Sequence, residues 1–138
     1  MLRYYLDTNV IISAVECVPP FGPLQEAFFG RIDGGEIEAV TSELAILECL
    51  VRPLRDRNER LARVYMEFLA PRPGFMVRPI TRDVLISAAG ERANNGTKLA
   101  DAIHVATAME AAADVFLSND RRLRPSSKML VQLWDAIQ

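Results

Sequence analysis

Short apolar runs alternate with longer helical segments along this chain, and this alternation constrains the fold more than any other feature. The sequence predicts five strands, over Leu2–Leu6, Ile37–Thr41, Phe75–Val77, Val115–Leu117 and Met129–Leu133. The segments between them have the length and the apolar spacing of helices. Such alternation favours an α/β fold with a short, mostly parallel central sheet.

The helices are predicted from the spacing of apolar residues and from residues that break helices. One helix carries three apolar residues on one face, Leu44, Leu47 and Val51, and Pro53 is expected to end it. An amphipathic helix is predicted over Leu54–Leu69. Another, predicted from Lys98 to Ala113, is apolar on nearly every side, so we expect it to lie in the core.

Length and composition favour a single domain over residues 1–138. A chain of 138 residues is too short for two independent cores, and a domain of this size needs neither a disulfide nor a structural metal to fold. With 50% hydrophobic and 25% charged residues, the composition excludes disordered and collagen-like chains. A formal net charge of −2 excludes a globally basic nucleic-acid-binding protein, although not a local basic patch.

The cysteines and the apolar segments predict a cytoplasmic protein with no membrane association. Cys17 and Cys49 stand apart without CxxC spacing, so both are predicted to be buried free thiols in a reducing compartment. Asp7 and Asn9 interrupt the first apolar stretch, which therefore does not resemble a secretory signal. No segment approaches the roughly 18 apolar residues of a membrane-spanning helix.

Two carboxylates directly follow predicted strands. Asp7 comes after the first strand and Asp120 after the fourth. Ligands bind to parallel sheets outside the carboxyl ends of the strands, so these two side chains would converge if their strands are neighbours. Each could instead cap the helix that follows it.

Two further carboxylates lie on predicted helices. Asp101 lies on the nearly all-apolar helix, where a carboxylate is unusual unless it is paired or bound to a metal. The alternative is an acidic residue favoured by the helix dipole in the first turn. Glu48 lies at the edge of the apolar arc of its helix, either as a boundary residue or as an inward-pointing ligand.

Taken together, the four carboxylates predict a divalent metal site. They would repel one another unless a cation neutralised them, and ligand sets made only of oxygen favour Mg²⁺ or Mn²⁺ over zinc. An ion of this kind can activate water for the hydrolysis of a phosphodiester.

Four sequence blocks resemble the PIN domain family, and within it the VapC-type toxins of bacterial toxin–antitoxin pairs. The blocks are Tyr5-Leu6-Asp7-Thr8-Asn9, Ser42–Glu48, Leu99–Ala108 and Phe116–Leu123. They occur in the order and spacing of that family. The resemblance implies a Rossmann-like α/β/α sandwich and a metal-dependent endoribonuclease that hydrolyses RNA with Mg²⁺ or Mn²⁺.

The same resemblance implies roles for individual residues and implies partners. An acidic pocket that holds the metal and orients the attacking water would consist of Asp7, Glu48, Asp101 and Asp120. Three polar residues would support that pocket: Thr8, Asn9 and Ser118. In toxins of this type a cognate antitoxin inserts a segment over the site, and the nuclease commonly forms a homodimer.

Basic residues immediately after Asp120 are candidates for contacts with the RNA backbone: Arg121, Arg122 and Arg124. His104, the single histidine, is interpreted as a packing or supporting residue. Two alternatives for the function remain open. One is a solitary PIN-domain nuclease that processes RNA without an antitoxin, and the other is a non-catalytic binding module whose carboxylates act as caps or dock a partner.

Overall fold

The computed structural model describes residues 1–123 and 129–137, and a parallel sheet runs through its centre. The strands are β1 (Arg3–Leu6), β2 (Glu38–Ser42), β3 (Phe75–Arg78), β4 (Val115–Ser118) and β5 (Leu130–Leu133). The α-helices within the described ranges are α1 (Thr8–Glu16), α2 (Pro23–Asp33), α3 (Leu44–Arg55), α4 (Glu59–Phe68), α5 (Arg82–Asn95) and α6 (Leu99–Glu110). A 3₁₀ turn follows β5 at Trp134–Ala136.

The sheet has the strand order β3-β2-β1-β4-β5, and every neighbouring pair is parallel. The first strand therefore lies in the middle, and the chain turns to the other side of it when it enters β4. Leu6 of β1 is paired with Leu117 of β4, so the segments that leave these two strands start side by side. The predicted α/β fold with a mostly parallel central sheet is confirmed.

Helices cover both faces of the sheet because the side chains of a strand alternate between its faces. Tyr4 and Leu6 pack in one apolar cluster with residues of α1, α2, α3 and α4. Tyr5 points to the other face and packs with Val105 and Ala108 of α6. As predicted, α6 is almost fully buried, from Ala102 to Ala108, although it ends at Glu110 and not at Ala113.

The prediction that Pro53 ends its helix is wrong. Helix α3 continues to Arg55, with Pro53 buried in its last turn. A proline so close to the end removes only one late backbone hydrogen bond, so the helix continues for two more residues. The next helix, α4, consequently begins at Glu59 and not at Leu54. Asn58 caps its start, because the Asn58 side chain accepts a hydrogen bond from the Leu61 amide over 3.1 Å.

The predicted apolar face of α3 is wrong at Leu47 and Val51, which are 61% and 51% exposed, whereas Leu44 packs against buried residues of α5 and α6. Ala45 and Cys49 face the core instead, and two larger side chains pack beside them, Ile46 and Leu50. The buried face of α3 is therefore rotated away from the predicted one, and apolar side chains lie on both sides of the helix.

The two cysteines and the membrane prediction concern the whole chain. Cys17 and Cys49 are both free thiols, but only Cys49 is buried, and the prediction that Cys17 is buried is wrong because it follows the end of α1 at the surface. Among the described helices, none combines the length and the apolar character that crossing a membrane requires.

Candidate functional site

Asp7 lies where β1 ends and α1 begins, and its carboxylate is held by both. The Thr8 amide donates to Asp7 Oδ1 over 2.8 Å, so Asp7 is the N-cap of α1, as the capping alternative expected. Its other oxygen, Oδ2, accepts a hydrogen bond from Ser118 Oγ of β4 over 2.7 Å. The side chain thus caps a helix and also faces the carboxyl end of the neighbouring strand.

Asn9 and Ser118 connect the two strand ends. Asn9 donates from Nδ2 to Ser118 Oγ over 3.3 Å, and its Oδ1 accepts from the Asn119 amide over 2.9 Å. The same Ser118 hydroxyl accepts from the Asp120 amide over 3.0 Å. The loop that carries Asp120 is therefore tied to the start of α1, beside Asp7.

The Asp120 carboxylate lies next to Arg122. Its Oδ1 accepts from the Arg122 backbone amide over 2.9 Å and from Arg122 Nε over 3.4 Å. These contacts, the backbone hydrogen bond first, hold the pKa of Asp120 below its usual range. Asp120 is thus ionised at neutral pH.

Asp101 lies in the first turn of α6 and faces the other carboxylates. Burial raises the pKa of Asp101 most, followed by the negative charges of Asp7 and Asp120. Within the described ranges, no hydrogen-bond donor contacts the Asp101 carboxylate. The fold therefore brings three sequence-predicted carboxylates into one electrostatic neighbourhood.

Glu48 reaches the same neighbourhood from α3. Its Oε1 accepts from Thr8 Oγ1 over 2.7 Å and lies 2.6 Å from His104 Nε2. Burial raises the pKa of Glu48, but the hydrogen bond and charge of His104 and the hydrogen bond from Thr8 outweigh it, so the net pKa is lowered. Of the two alternatives for Glu48, the structure has the inward-pointing one.

Sequence reasoning missed the contacts of His104 and Tyr5 beneath these carboxylates. His104 is 1% exposed, its Nδ1 lies 2.6 Å from the Tyr5 hydroxyl, and its Nε2 lies 3.1 Å from Thr8 Oγ1. A signal existed for both residues. His104 follows Asp101 by three residues on one helix and therefore shares a face with it, and Tyr5 lies on β1 two residues before Asp7, which follows the strand.

The predicted arginines have different environments. Arg122 lines a cleft of about 240 Å³ that also includes Lys98, Asp101 and Asp120. Arg121 instead pairs with the Asp135 carboxylate near the end of the chain. Arg124 lies outside the described residues.

The donor set matches the chemistry of a hard cation. In residues 1–123 and 129–137, no group of three or more His, Cys, Asp or Glu side chains is arranged to hold a metal ion as it stands. All four acidic side chains nonetheless offer oxygen ligands, as Mg²⁺ and Mn²⁺ prefer. Burial raises the pKa of Asp101 most, and the next causes are the negative charges of Asp7 and Asp120, which a cation would offset.

Comparison with known protein families identifies the family of this chain. The model of the family described as "PIN domain" matches residues 4–125, which include all four acidic residues of the site. The chain belongs to the PIN domain family. This membership confirms the resemblance expected from the four sequence blocks, while no curated protein shows significant sequence similarity to the chain.

Solved structures share this PIN fold at low sequence identity. A toxin–antitoxin complex from Klebsiella pneumoniae is 17% identical, with 94% of this chain and 96% of that chain covered and a TM-score of 0.67. VapBC2 from Rickettsia felis, bound to a DNA fragment from its promoter, is 12% identical, with 96% and 99% covered and a TM-score of 0.75. DNA-bound VapBC from Salmonella typhimurium is 19% identical, with 97% and 99% covered and a TM-score of 0.75.

Proposed function

We propose that this PIN domain is a metal-dependent endoribonuclease of the VapC toxin type, which hydrolyses RNA phosphodiester bonds. One observation carries the proposal: Asp101 lines a cleft with Asp120 and basic residues, and burial, followed by the negative charges of Asp7 and Asp120, raises its pKa there. Perturbed carboxylates in a cleft are typical of catalytic sites. If the acidic residues acted only as helix caps, their carboxylates would not need to lie close to one another.

The metal would be held by Asp7, Glu48, Asp101 and Asp120. When bound, Mg²⁺ or Mn²⁺ supplies a water of lowered pKa and polarises a phosphoryl oxygen. The protein holds these ligands in different ways. Asp7 is bonded by Thr8 and Ser118, and Glu48 is close to Thr8 and His104.

Asp101 is the carboxylate best suited to accept a proton from the attacking water. It lies among the other carboxylates, and no hydrogen-bond donor of the described residues occupies its oxygens, so they are open to a water proton. In hydrolysis the water oxygen bonds to phosphorus and a water proton passes to an Asp101 carboxylate oxygen. One ester P–O bond breaks, and the leaving ribose oxygen takes up a proton from solvent to become a hydroxyl. Asp120, with its lowered pKa, remains charged throughout.

Lys98 and Arg122 are suited to bind the RNA backbone on either side of the cleavage point. Both line the same cleft as Asp101 and Asp120. Cationic side chains beside the acidic pocket would offset its repulsion of a phosphate. Arg121 and Arg124 remain predicted backbone contacts.

A cognate antitoxin is the partner that we propose. The similar structures named above are toxin–antitoxin complexes, and Leu47, Val51 and Leu54 expose apolar surface on the helix that carries Glu48. Exposed apolar patches of this kind mark sites of protein–protein contact. The family resemblance adds a homodimer, and the free thiols Cys17 and Cys49 suit the reducing cytoplasm.

The test is cleavage of a mixed cellular RNA pool with Mn²⁺, with Mg²⁺ and with EDTA. Asp101→Asn should lower cleavage about 100-fold or more, because a positioned acid–base group contributes that much. Asp83→Asn is the matched control, since Asp83 is also in the first turn of a helix but lies on the exposed surface of α5. It should leave cleavage unchanged.

Two outcomes would favour the alternatives. Equal residual cleavage by the wild type and Asp101→Asn would identify a contaminating nuclease and support the non-catalytic binding module. Metal-dependent cleavage by a protein that copurifies with no antitoxin from its own operon would favour the solitary RNA-processing nuclease.

A further inference from the structure

A continuous line of polar contacts runs beneath the acidic pocket, from β1 through α6 to α3. Tyr5 on β1 lies 2.6 Å from His104 Nδ1, and His104 Nε2 lies 2.6 Å from Glu48 Oε1. Tyr5 is fully buried and His104 nearly so. The Glu48 side chain, in contrast, is 29% exposed and lies at the inner edge of α3.

Which group donates in each of these hydrogen bonds follows from Glu48, the last residue in the line from Tyr5 through His104. Thr8 Oγ1 donates to the same Glu48 oxygen over 2.7 Å, and a carboxylate only accepts hydrogen bonds. His104 Nε2 must therefore donate to Glu48 Oε1, 2.6 Å away. When the imidazole carries a single proton, that proton is on Nε2, so Nδ1 accepts from the Tyr5 hydroxyl.

We propose that Tyr5 and His104 are positioning residues that hold the Glu48 carboxylate in the metal pocket. Tyr5 donates to Nδ1 and thereby sets the tautomer in which Nε2–H points at Glu48. This inference rests on the proposed metal-dependent function. It gives His104 a part that simple core packing does not require.

Glu48 needs such support because of its location. It is the one predicted ligand that comes from α3, and its side chain is long and partly exposed, so fixing one conformation costs rotamer entropy. Two donors, Thr8 Oγ1 and His104 Nε2, meet at the same oxygen, Oε1. The other oxygen, Oε2, is thereby left for a ligand.

The tautomer can be read directly, because His104 is the only histidine of the chain. In ¹⁵N NMR of the apo protein, recorded where the imidazole carries a single proton, we expect that proton on Nε2 and not on Nδ1. Tyr5→Phe should shift the Nδ1 resonance, whereas Tyr4→Phe should not. Tyr4 is the matched control because it is a buried neighbour that faces the other side of the sheet.

Binding of Mn²⁺ alone, measured by calorimetry, tests the consequence for the pocket. His104→Met should raise the Kd for Mn²⁺ about 10- to 100-fold, the usual effect of losing a partner of a metal ligand. His104→Gln should remain close to the wild type, because its amide can accept from Tyr5 and donate to Glu48. Tyr5→Phe should raise the Kd by less than His104→Met, and Tyr4→Phe should leave it unchanged.

Two results would overturn the proposal: a single ring proton on Nδ1 instead of Nε2, or a folded His104→Met protein that binds Mn²⁺ as the wild type does. If His104→Met does not fold, Tyr5→Phe decides the matter through its Nδ1 resonance and its Mn²⁺ affinity. The tautomer is measured without metal or RNA. A failed nuclease assay therefore refutes the proposed function and a wrong tautomer refutes this inference, each independently of the other.

Discussion

Replacing Ser118 with alanine should destabilise the protein through the loss of one hydroxyl that joins two strand ends. That hydroxyl donates to Asp7 Oδ2 over 2.7 Å and accepts from the Asp120 amide over 3.0 Å. A hydrogen bond to a charged group contributes roughly 2 kcal/mol and a neutral one roughly 1 kcal/mol. The contact with Asn9 is longer, at 3.3 Å, and adds little. We therefore expect Ser118→Ala to lose about 3 kcal/mol of the free energy of unfolding.

Ser42→Ala is the matched control, because Ser42 is equally buried and ends β2 as Ser118 ends β4. Its hydroxyl accepts one neutral hydrogen bond, from the Leu44 amide over 3.0 Å, so its loss should cost about 1 kcal/mol. Thermal and urea unfolding would measure both, with a fall in Tm of about 10 °C for Ser118→Ala and about 3 °C for Ser42→Ala. Equal losses would refute the reasoning that the bond to the Asp7 carboxylate dominates.

Three further predictions concern charge at the site. Asp101→Asn should raise Tm at pH 7, because the raised pKa of Asp101 means that its ionised form destabilises the fold. The gain should shrink as the pH falls to about 4, where Asp101 becomes protonated. An unchanged or lower Tm at pH 7 would contradict this prediction. Mn²⁺ at about 100 times its Kd should stabilise the wild type by about 2.7 kcal/mol in thermal unfolding, and EDTA should reverse the effect. Equal stabilisation of the Asp101→Asn protein by Mn²⁺ would argue that Asp101 is not a metal ligand. Lys98→Ala should raise KM for RNA more than it lowers kcat, and it should reduce the salt dependence of RNA binding by about one charge. Arg82→Ala is the control, at the far end of α5, and should change neither quantity. If both variants changed KM and the salt dependence equally, RNA would bind elsewhere.

The parallel sheet could be predicted because its strands are apolar runs separated by helices of sufficient length. That pattern reflects burial on both faces, a property that single segments carry on their own. The boundaries were less accurate around Pro53, since whether a proline is tolerated depends on how near the helix end it lies. The outward face of α3 was missed because Leu47 and Val51 are apolar and yet exposed.

At the site, the sequence placed acidic residues at the ends of strands and in a nearly apolar helix, and parallel-sheet geometry predicted that some would converge. It left Glu48 undecided between a boundary residue and an inward-pointing one. The hydrogen bond from Thr8, which is 40 positions away in the chain, decides between them. Such a contact has no local signature.

The sequence by itself determined the α/β class, the family and the four acidic positions, because each depends on local pattern and on motif order. Tertiary structure alone decided which residues support the carboxylates, and it separated Arg122, in the cleft, from Arg121, which pairs with Asp135. It also placed Tyr5 and Glu48 on opposite sides of His104. The physical reason is that hydrogen bonds and pKa values depend on distances of a few ångströms between segments far apart in the chain, and only the packing of the helices on the sheet sets those distances.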